Sequence, residues 1–332
     1  MKANIKNIFF AAAIGGFITV TATSCKKDDP APAPTPNVVG VAQADTNFSI
    51  LVSAVVKTGL TDALSNTANL TVFAPLNNAF RSIGYTSASI DALSNAADIA
   101  KLKSVLQYHV LAEKIPASAI TSANIEKTTL QGSKLYATGN ASGPFTGVYI
   151  NGVKVQIADV AASNGVIHAI GKVLIPPAGT LLQTAVALGG DTSPAGFSLL
   201  VAAVLRADES TATQTAGVVT GALSGAGPLT VFAPTNQAFI DAGFATTAAI
   251  NAADPAVLRN IILYHVVGAR VFSSNLTAAN VGTVQGTNVT IALPASGPTV
   301  KGTANTAPAN VILADVIATN GVIHAINKVL LP

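Results

Sequence analysis

The sequence predicts an α+β fold built twice in tandem, on three observations. A block of the chain repeats at an offset of 156 residues. Apolar residues in the first half of each repeat follow a helical period, and those in the second half alternate as in strands. The repeat is clearest at its end, where Ala158–Pro176 (ADVAASNGVIHAIGKVLIP) returns as Ala314–Pro332 (ADVIATNGVIHAINKVLLP), identical at 15 of 19 positions. The same offset carries Tyr108-His109 onto Tyr264-His265 and His168 onto His324, so all four histidines are repeat positions. Upstream, Leu70–Pro75 (LTVFAP) returns as Leu229–Pro234, and Phe48-Ser-Ile-Leu-Val returns as Phe197-Ser-Leu-Leu-Val. A unit of about 140 to 155 residues is one ordinary domain with room for its own core, and similarity at a fixed spacing marks a repeated unit.

Within a unit the helices come first. Phe48–Val56 and Phe197–Leu205 place apolar residues at helical spacing, and Asp98–Val110 puts Ile99, Leu102, Val105 and Leu106 on one face. Asp254-Pro255 reads as an N-cap followed by proline at the first helical position, where its missing N–H costs nothing. Strands follow, with alternating runs at Val153–Ile157 and Asn288–Leu293 separated by glycine-rich breaks. Asn164-Gly165 and Asn320-Gly321 are expected to form type I′ hairpin turns, which need positive φ at both central residues. The second unit holds 35 residues between Phe197 and Phe232 where the first holds 25 between Phe48 and Phe73. The extra length, around Asp208 to Gly227, is rich in Ser, Thr, Ala and Gly.

The N-terminal residues suggest export. Lys2 and Lys6 precede an apolar run from Ile8 to Val20 that is too short to span a bilayer, as in a signal peptide covering residues 1–24. Ala22-Thr23-Ser24 leads small residues up to Cys25, the arrangement a lipoprotein signal peptidase requires. Cys25 is the only cysteine, so it forms no intramolecular disulfide, and lipid attachment is the role expected for it. Residues 25–36 then read as a lipidated stalk, extended by alternating prolines from Pro30 to Pro36. Lys26-Lys27-Asp28-Asp29 resembles the lysine-then-acidic signal that sends some bacterial lipoproteins to the outer face of the outer membrane; the other reading is a solvated linker. The expected location is therefore the outer membrane, at the cell surface or on its periplasmic face. Domain one is expected over 37–177 and domain two over 178–332.

Composition narrows the function. Loss of Lys2 and Lys6 would take the formal charge from +3 to about +1, and no basic cluster remains to neutralise a row of phosphates, so nucleic acid is not expected as a partner. No Gly-x-Ser-x-Gly elbow supplies a nucleophile, and the lone cysteine is assigned to lipid. Each unit holds two histidines 59 residues apart without His-x-x-His spacing, and no Walker-type glycine loop is present. No catalytic residue, metal or cofactor is expected.

The ordered blocks resemble the fasciclin domain family. The resemblance rests on Thr71-Val-Phe-Ala-Pro75 with Asn77, Ala79 and Phe80, and on Thr230-Val-Phe-Ala-Pro234 with Asn236, Ala238 and Phe239. It rests equally on the mid-domain Tyr-His pair and on the Asn-Gly-Val-Ile-His block, and covers about Asn37–Pro176 and Thr180–Pro332. Leu76 and Asn78 depart from the Thr and acidic residue of the family pattern. The resemblance implies a wedge of antiparallel strands packed with several helices, in proteins that adhere to cells, matrix proteins or polysaccharide without doing chemistry.

In animal members, adhesion is ascribed to the Tyr-His segment and to an Asp-Ile pair before the last block. The matching residues here are Tyr108-His109, Tyr264-His265, Asp159-Val160 and Asp315-Val316, with Val in place of Ile. Against this, His109 lies on the same helix face as Val105 and Leu106, and His265 on that of Ile261 and Ile262, which is the pattern of core packing. His168 and His324 share strand faces with buried-type residues and are expected to bond neighbouring backbone. Asp159 and Asp315, several residues before the hairpin turn, are expected to cap a loop N–H rather than to contact a ligand, and are the best exposed candidates for contact. The function expected is adhesion to a protein or polysaccharide surface ligand, the membrane being reached through the lipid alone; the alternative is a structural envelope or biofilm-matrix component that self-associates.

Overall fold

The computed structural model describes residues 34–121, 124–209 and 215–332. Cys25, the leader and most of the proline-rich stretch lie outside these residues, as do 210–214 of the insertion. The first copy contains helices α1 (Val38–Ala44), α2 (Ser49–Lys57), α3 (Thr61–Asn66), α4 (Asn77–Arg81), α5 (Ser87–Asp91) and α6 (Ala96–Tyr108). Its strands are β1 (Leu70–Pro75), β2 (Val110–Leu111), β3 (Ile125–Thr128), β4 (Lys134–Asn140), β5 (Gly147–Ile150), β6 (Val153–Ala162) and β7 (Gly165–Ile170). The second copy repeats the order with α7 (Leu181–Gly189), α8 (Ser198–Ala207), α9 (Val218–Ser224), α10 (Asn236–Asp241), α11 (Thr247–Ala252) and α12 (Pro255–Tyr264). Its strands are β8 (Leu229–Pro234), β9 (Val266–Val267), β10 (Ala279–Gly282), β11 (Asn288–Ala292), β12 (Thr299–Lys301), β13 (Ala309–Ala318) and β14 (Gly321–Ile326).

Each copy forms a seven-stranded sheet, ordered β2-β1-β7-β6-β5-β4-β3 and, equivalently, β9-β8-β14-β13-β12-β11-β10. The expected wedge is not wholly antiparallel, because β1 pairs with β7, and β8 with β14, in parallel. A parallel pair needs a long crossover, and three helices (α4–α6 or α10–α12) and five strands of a copy lie between its two central strands, the other three helices preceding the first of them. Both central strands are buried along their full length, which explains why LTVFAP and GVIHAI read as continuous rather than alternating apolar runs. The helices pack one face of this centre: Phe48, Leu51, Phe80, Leu102 and Leu106 join Ile167 in one core, and Phe197, Leu200, Phe239, Leu258 and Ile262 join Ile323 in the other.

Local chemistry accounts for the helix ends. Asp254 caps α12 by accepting from the Ala256 N–H at 2.8 Å, with Pro255 at the first position. In the insertion, the Asp208 carboxylate accepts from the Val219 N–H at 2.8 Å and so caps α9 across the added residues.

The two Asn-Gly hairpins are built differently from the expectation. The turn is closed by the pair Ala162–Gly165, so Ser163 and Asn164 are its central residues, and neither these two nor Gly165 has a positive φ. Asn320-Gly321 behaves likewise, with Ala318 paired to Gly321. The asparagine is required for its side chain: Asn164 Oδ1 accepts from the Val38 N–H at 2.9 Å, while its Nδ2 donates to the carbonyls of Leu64 at 2.8 Å and Thr67 at 2.9 Å. Asn320 does the same with Leu181, Leu223 and Gly225. The glycine is required for closeness, because a Cβ on Gly165 would stand 2.3 Å from the Leu70 carbonyl oxygen. The left-handed Asn-Gly turn of the first copy lies instead at Asn151 (φ 49°) and Gly152 (φ 77°), between β5 and β6.

Candidate functional site

The Tyr-His pair stands at the end of α6, where the chain turns into β2. His109 is the residue that ends the helix, and both rings face inward, fully buried. Tyr108 donates its hydroxyl to the Lys134 carbonyl at 2.8 Å and accepts from Asn151 Nδ2 at 2.9 Å. Burial pushes its hydroxyl well above the ordinary phenol range, against the opposing pull of the Asn151 bond. His109 Nδ1 donates to the Val105 carbonyl at 2.7 Å, and Nε2 accepts from the Leu174 N–H at 2.9 Å. Burial lowers its pKa to about 4, with the Val105 bond acting in the other direction.

Tyr264 and His265 reproduce this. Tyr264 donates to the Asn288 carbonyl at 2.6 Å, and His265 bridges the Ile261 carbonyl and the Leu330 N–H, each at 2.8 Å. Burial lowers its pKa to about 4 as well. Each pair therefore ties a helix end to the outer strands through tyrosine and to the tail after the last strand through histidine. None of the four rings reaches solvent in this conformation.

His168 and His324 hold the other two candidates in place. Strand β6 bulges between Ile157 and Val160, and β13 between Leu313 and Val316. The bulged residues Asp159 and Asp315 have left-handed φ values of 57° and 66°, a region that short polar side chains tolerate. The bulge N–H of Asp159 donates to His168 Nδ1 at 3.2 Å, and His168 Nε2 donates to the Ile115 carbonyl at 2.9 Å. His324 makes the same bonds with the Asp315 N–H (3.2 Å) and the Val271 carbonyl (2.8 Å). These histidines carry hydrogen on Nε2, whereas His109 and His265 carry it on Nδ1, so both nitrogens of all four rings are used by backbone.

The carboxylates extend outward from the bulge, and here the copies differ. Asp159 accepts from the Ala117 N–H at 2.9 Å and is otherwise exposed, beside Ile157, which is 48% exposed. Asp315 accepts from the Ser273 N–H at 2.7 Å and from its hydroxyl, and its side chain is only 9% exposed. What covers it is the first domain: a Cβ on Gly152 would lie 2.3 Å from Asp315 Oδ2. Val160 and Val316 are half-buried on the core side of their bulges.

Sequence reasoning missed the residues that join the domains. The Arg270 guanidinium donates to the carbonyls of Ala318 (3.2 Å), Gly321 (3.1 Å) and Thr319 (3.1 Å) and lies 4.2 Å from the centre of the Tyr136 ring of the first domain. Tyr136 also packs on Phe272 at 5.8 Å between ring centres, over Val322 and Ile317. Beside this seam an open, mostly apolar cleft of about 680 Å³ runs between the domains, walled by Ile83, Ile175, Leu313 and Val316. Among the described residues, no three His, Cys, Asp or Glu side chains stand close enough together to hold a metal ion, and no single helix is long and apolar enough to cross a membrane.

Each copy is thus an α+β unit whose two buried histidines are bonded to backbone, with an acidic bulge that is exposed at Asp159 and covered at Asp315. The Fasciclin domain family model matches residues 46–176 and 208–332, and the chain belongs to that family. Transforming growth factor-beta-induced protein ig-h3 of Sus scrofa is 37% identical over 145 residues, 44% of this chain but 20% of that protein. Protein sll1483 of Synechocystis is 37% identical over 141 residues, 42% of this chain and 73% of that protein. Periostin of Homo sapiens is 30% identical over 291 residues, 86% of this chain and 30% of periostin. Among solved structures, the fasciclin domain pair of the insect cell adhesion molecule fasciclin I covers 87% of this chain and 98% of its own at 19% identity, with a TM-score of 0.39.

Proposed function

We propose that this chain is a non-enzymatic adhesion protein, held to the outer membrane by lipid on Cys25, that recognises a protein or polysaccharide surface through its first fasciclin domain. The observation that carries the reading is the Asp159 bulge. A carboxylate fixed by one backbone N–H, flanked by exposed Ile157 and anchored from behind by His168, is a rigid acidic tip on an apolar base. Such a tip loses little conformational entropy on binding. Asp315 is covered, so the pair offers this contact once, and avidity would come from many anchored copies rather than from the tandem within one chain. The Tyr-His residues support the site from the core.

The test is binding of the soluble protein from Lys26 onward to cell, matrix-protein and polysaccharide surfaces. Asp159→Asn keeps the acceptor for the Ala117 N–H and removes the charge; it is expected to weaken binding roughly tenfold, the scale of a lost charge-assisted hydrogen bond. Asp315→Asn is expected to leave binding unchanged. Absence of binding to every surface, together with self-association of the soluble protein, would replace adhesion by a structural envelope role. Exposure is checked on intact cells: protease is expected to remove the domains from wild type and to spare a variant with Lys27, Asp28 and Asp29 changed to Ala. Resistance of both on intact cells, with digestion after lysis, would place the protein in the periplasm and end the adhesion reading.

A further inference from the structure

The seam between the domains is one-directional. The outer end of the first sheet, carrying Tyr136 and the Asn151-Gly152 turn, docks on the bulge end of the second domain, carrying Arg270, Phe272 and Asp315. Asn140 Nδ2 of the first domain adds a bond to the Ser274 carbonyl of the second at 2.8 Å. A head-to-tail contact of this kind can in principle repeat without limit, because each domain retains one free end.

The two free ends, however, lack what the seam uses. The repeat offset maps Arg270 onto Lys114, Phe272 onto Pro116 and Ile317 onto Ala161, so the bulge end of the first domain has neither guanidinium fork nor aromatic ring. At the other end, Tyr108 and Tyr264 bond the carbonyls of Lys134 and Asn288, which aligns Tyr136 with Thr290. The two-residue Asn151-Gly152 turn is replaced there by the loop 302–308 between β12 and β13. Glycine at 152 is required by the seam twice over, for its left-handed φ and for the space beneath Asp315. Lysine cannot take the place of Arg270, since it offers no planar fork for three carbonyls and no flat face for the Tyr136 ring.

We infer that the Arg270–Tyr136–Phe272 seam locks the two domains into one rigid body and that, among the described residues, each of its two surfaces is formed by one domain alone, so the seam is not repeated between copies of the chain. The lock is independent of any external ligand. It also fixes which acidic bulge is hidden: releasing it would expose Asp315.

The experiment uses the full chain in detergent with Cys25→Ser and spin labels at Lys103→Cys and Thr247→Cys, both exposed helix positions, one per domain. One narrow interdomain distance is expected. Arg270→Lys, and separately Gly152→Asn, should abolish the single narrow distance while hydrogen exchange in β1 and β8 stays slow, which shows that both domains remain folded. Sedimentation should give a monomer at every concentration. A broad distance distribution in the parent, or a narrow one that survives both substitutions, overturns the lock. Concentration-dependent association that Tyr136→Ala removes overturns the restriction of the seam to one chain, since it would then form between copies.

Discussion

Acidification from pH 7 to pH 5 is expected to destabilise both domains steeply, before the carboxylates begin to titrate. His109 and His265 are ordinary in the unfolded chain, near 6.5, and are held to about 4 in the folded one by burial. Below pH 6.5 the unfolded state therefore binds a proton that the folded state refuses. Stability is complete above the unfolded value and is lost as pH falls toward the folded one. Each histidine contributes a slope of up to about 1.4 kcal/mol per pH unit in that window, and a total loss of about 3 kcal/mol by pH 4. In the second domain His324 adds to this, lowered by burial and only partly compensated by Asp315.

Urea titrations at pH 8, 6 and 5 test it, with the two domains resolved by hydrogen exchange. His109→Gln should lower stability at pH 8, because Gln does not reproduce both the Val105 and the Leu174 bonds, and should flatten the first domain's pH dependence while leaving the second's. Equal stability at pH 8 and pH 5 in the parent chain would show that these rings ionise without cost and would refute the burial account.

The same histidines show how much could be read before the fold was seen. Helical spacing placed His109 and His265 on the apolar side of their helices, and strand alternation placed His168 and His324 beside core residues; the structure has all four buried. Periodicity cannot name their partners, because Leu174 and Ile115 lie 65 and 53 residues away in the chain. The Asp159 bulge was equally invisible, since β6 interrupts its alternation just where the extra residue enters. The seam left no comparable signal: at the 156-residue offset residues 111–120 and 267–276 agree only at Ser118 and Ser274, so Lys114 against Arg270 and Pro116 against Phe272 do not stand out from their neighbours, although Asn151-Gly152 has no Asn-Gly counterpart in the second copy.

Asn164-Gly165 is where the local rule and the fold disagree, and substitution there separates them. If the pair served as a type I′ turn, Gly165→Ala would cost about 1 kcal/mol, the usual strain of a side chain at positive φ. The structure requires far more. A methyl group at Gly165 meets the Leu70 carbonyl at 2.3 Å between two central strands, neither of which can move without opening the parallel ladder. The expected cost is therefore above about 4 kcal/mol, the range reserved for a broken core. Asn164→Ala should cost about 3 kcal/mol, because it strands the Val38 N–H and the Leu64 and Thr67 carbonyls together. Asn164→Gly, favourable in a true type I′ turn, should be at least as damaging as Asn164→Ala. Denaturation of the three variants decides between the accounts: mild loss at Gly165 with a stable Asn164→Gly would restore the turn reading, and the reverse order establishes the asparagine as the clasp that holds α1 and α3 to the central hairpin.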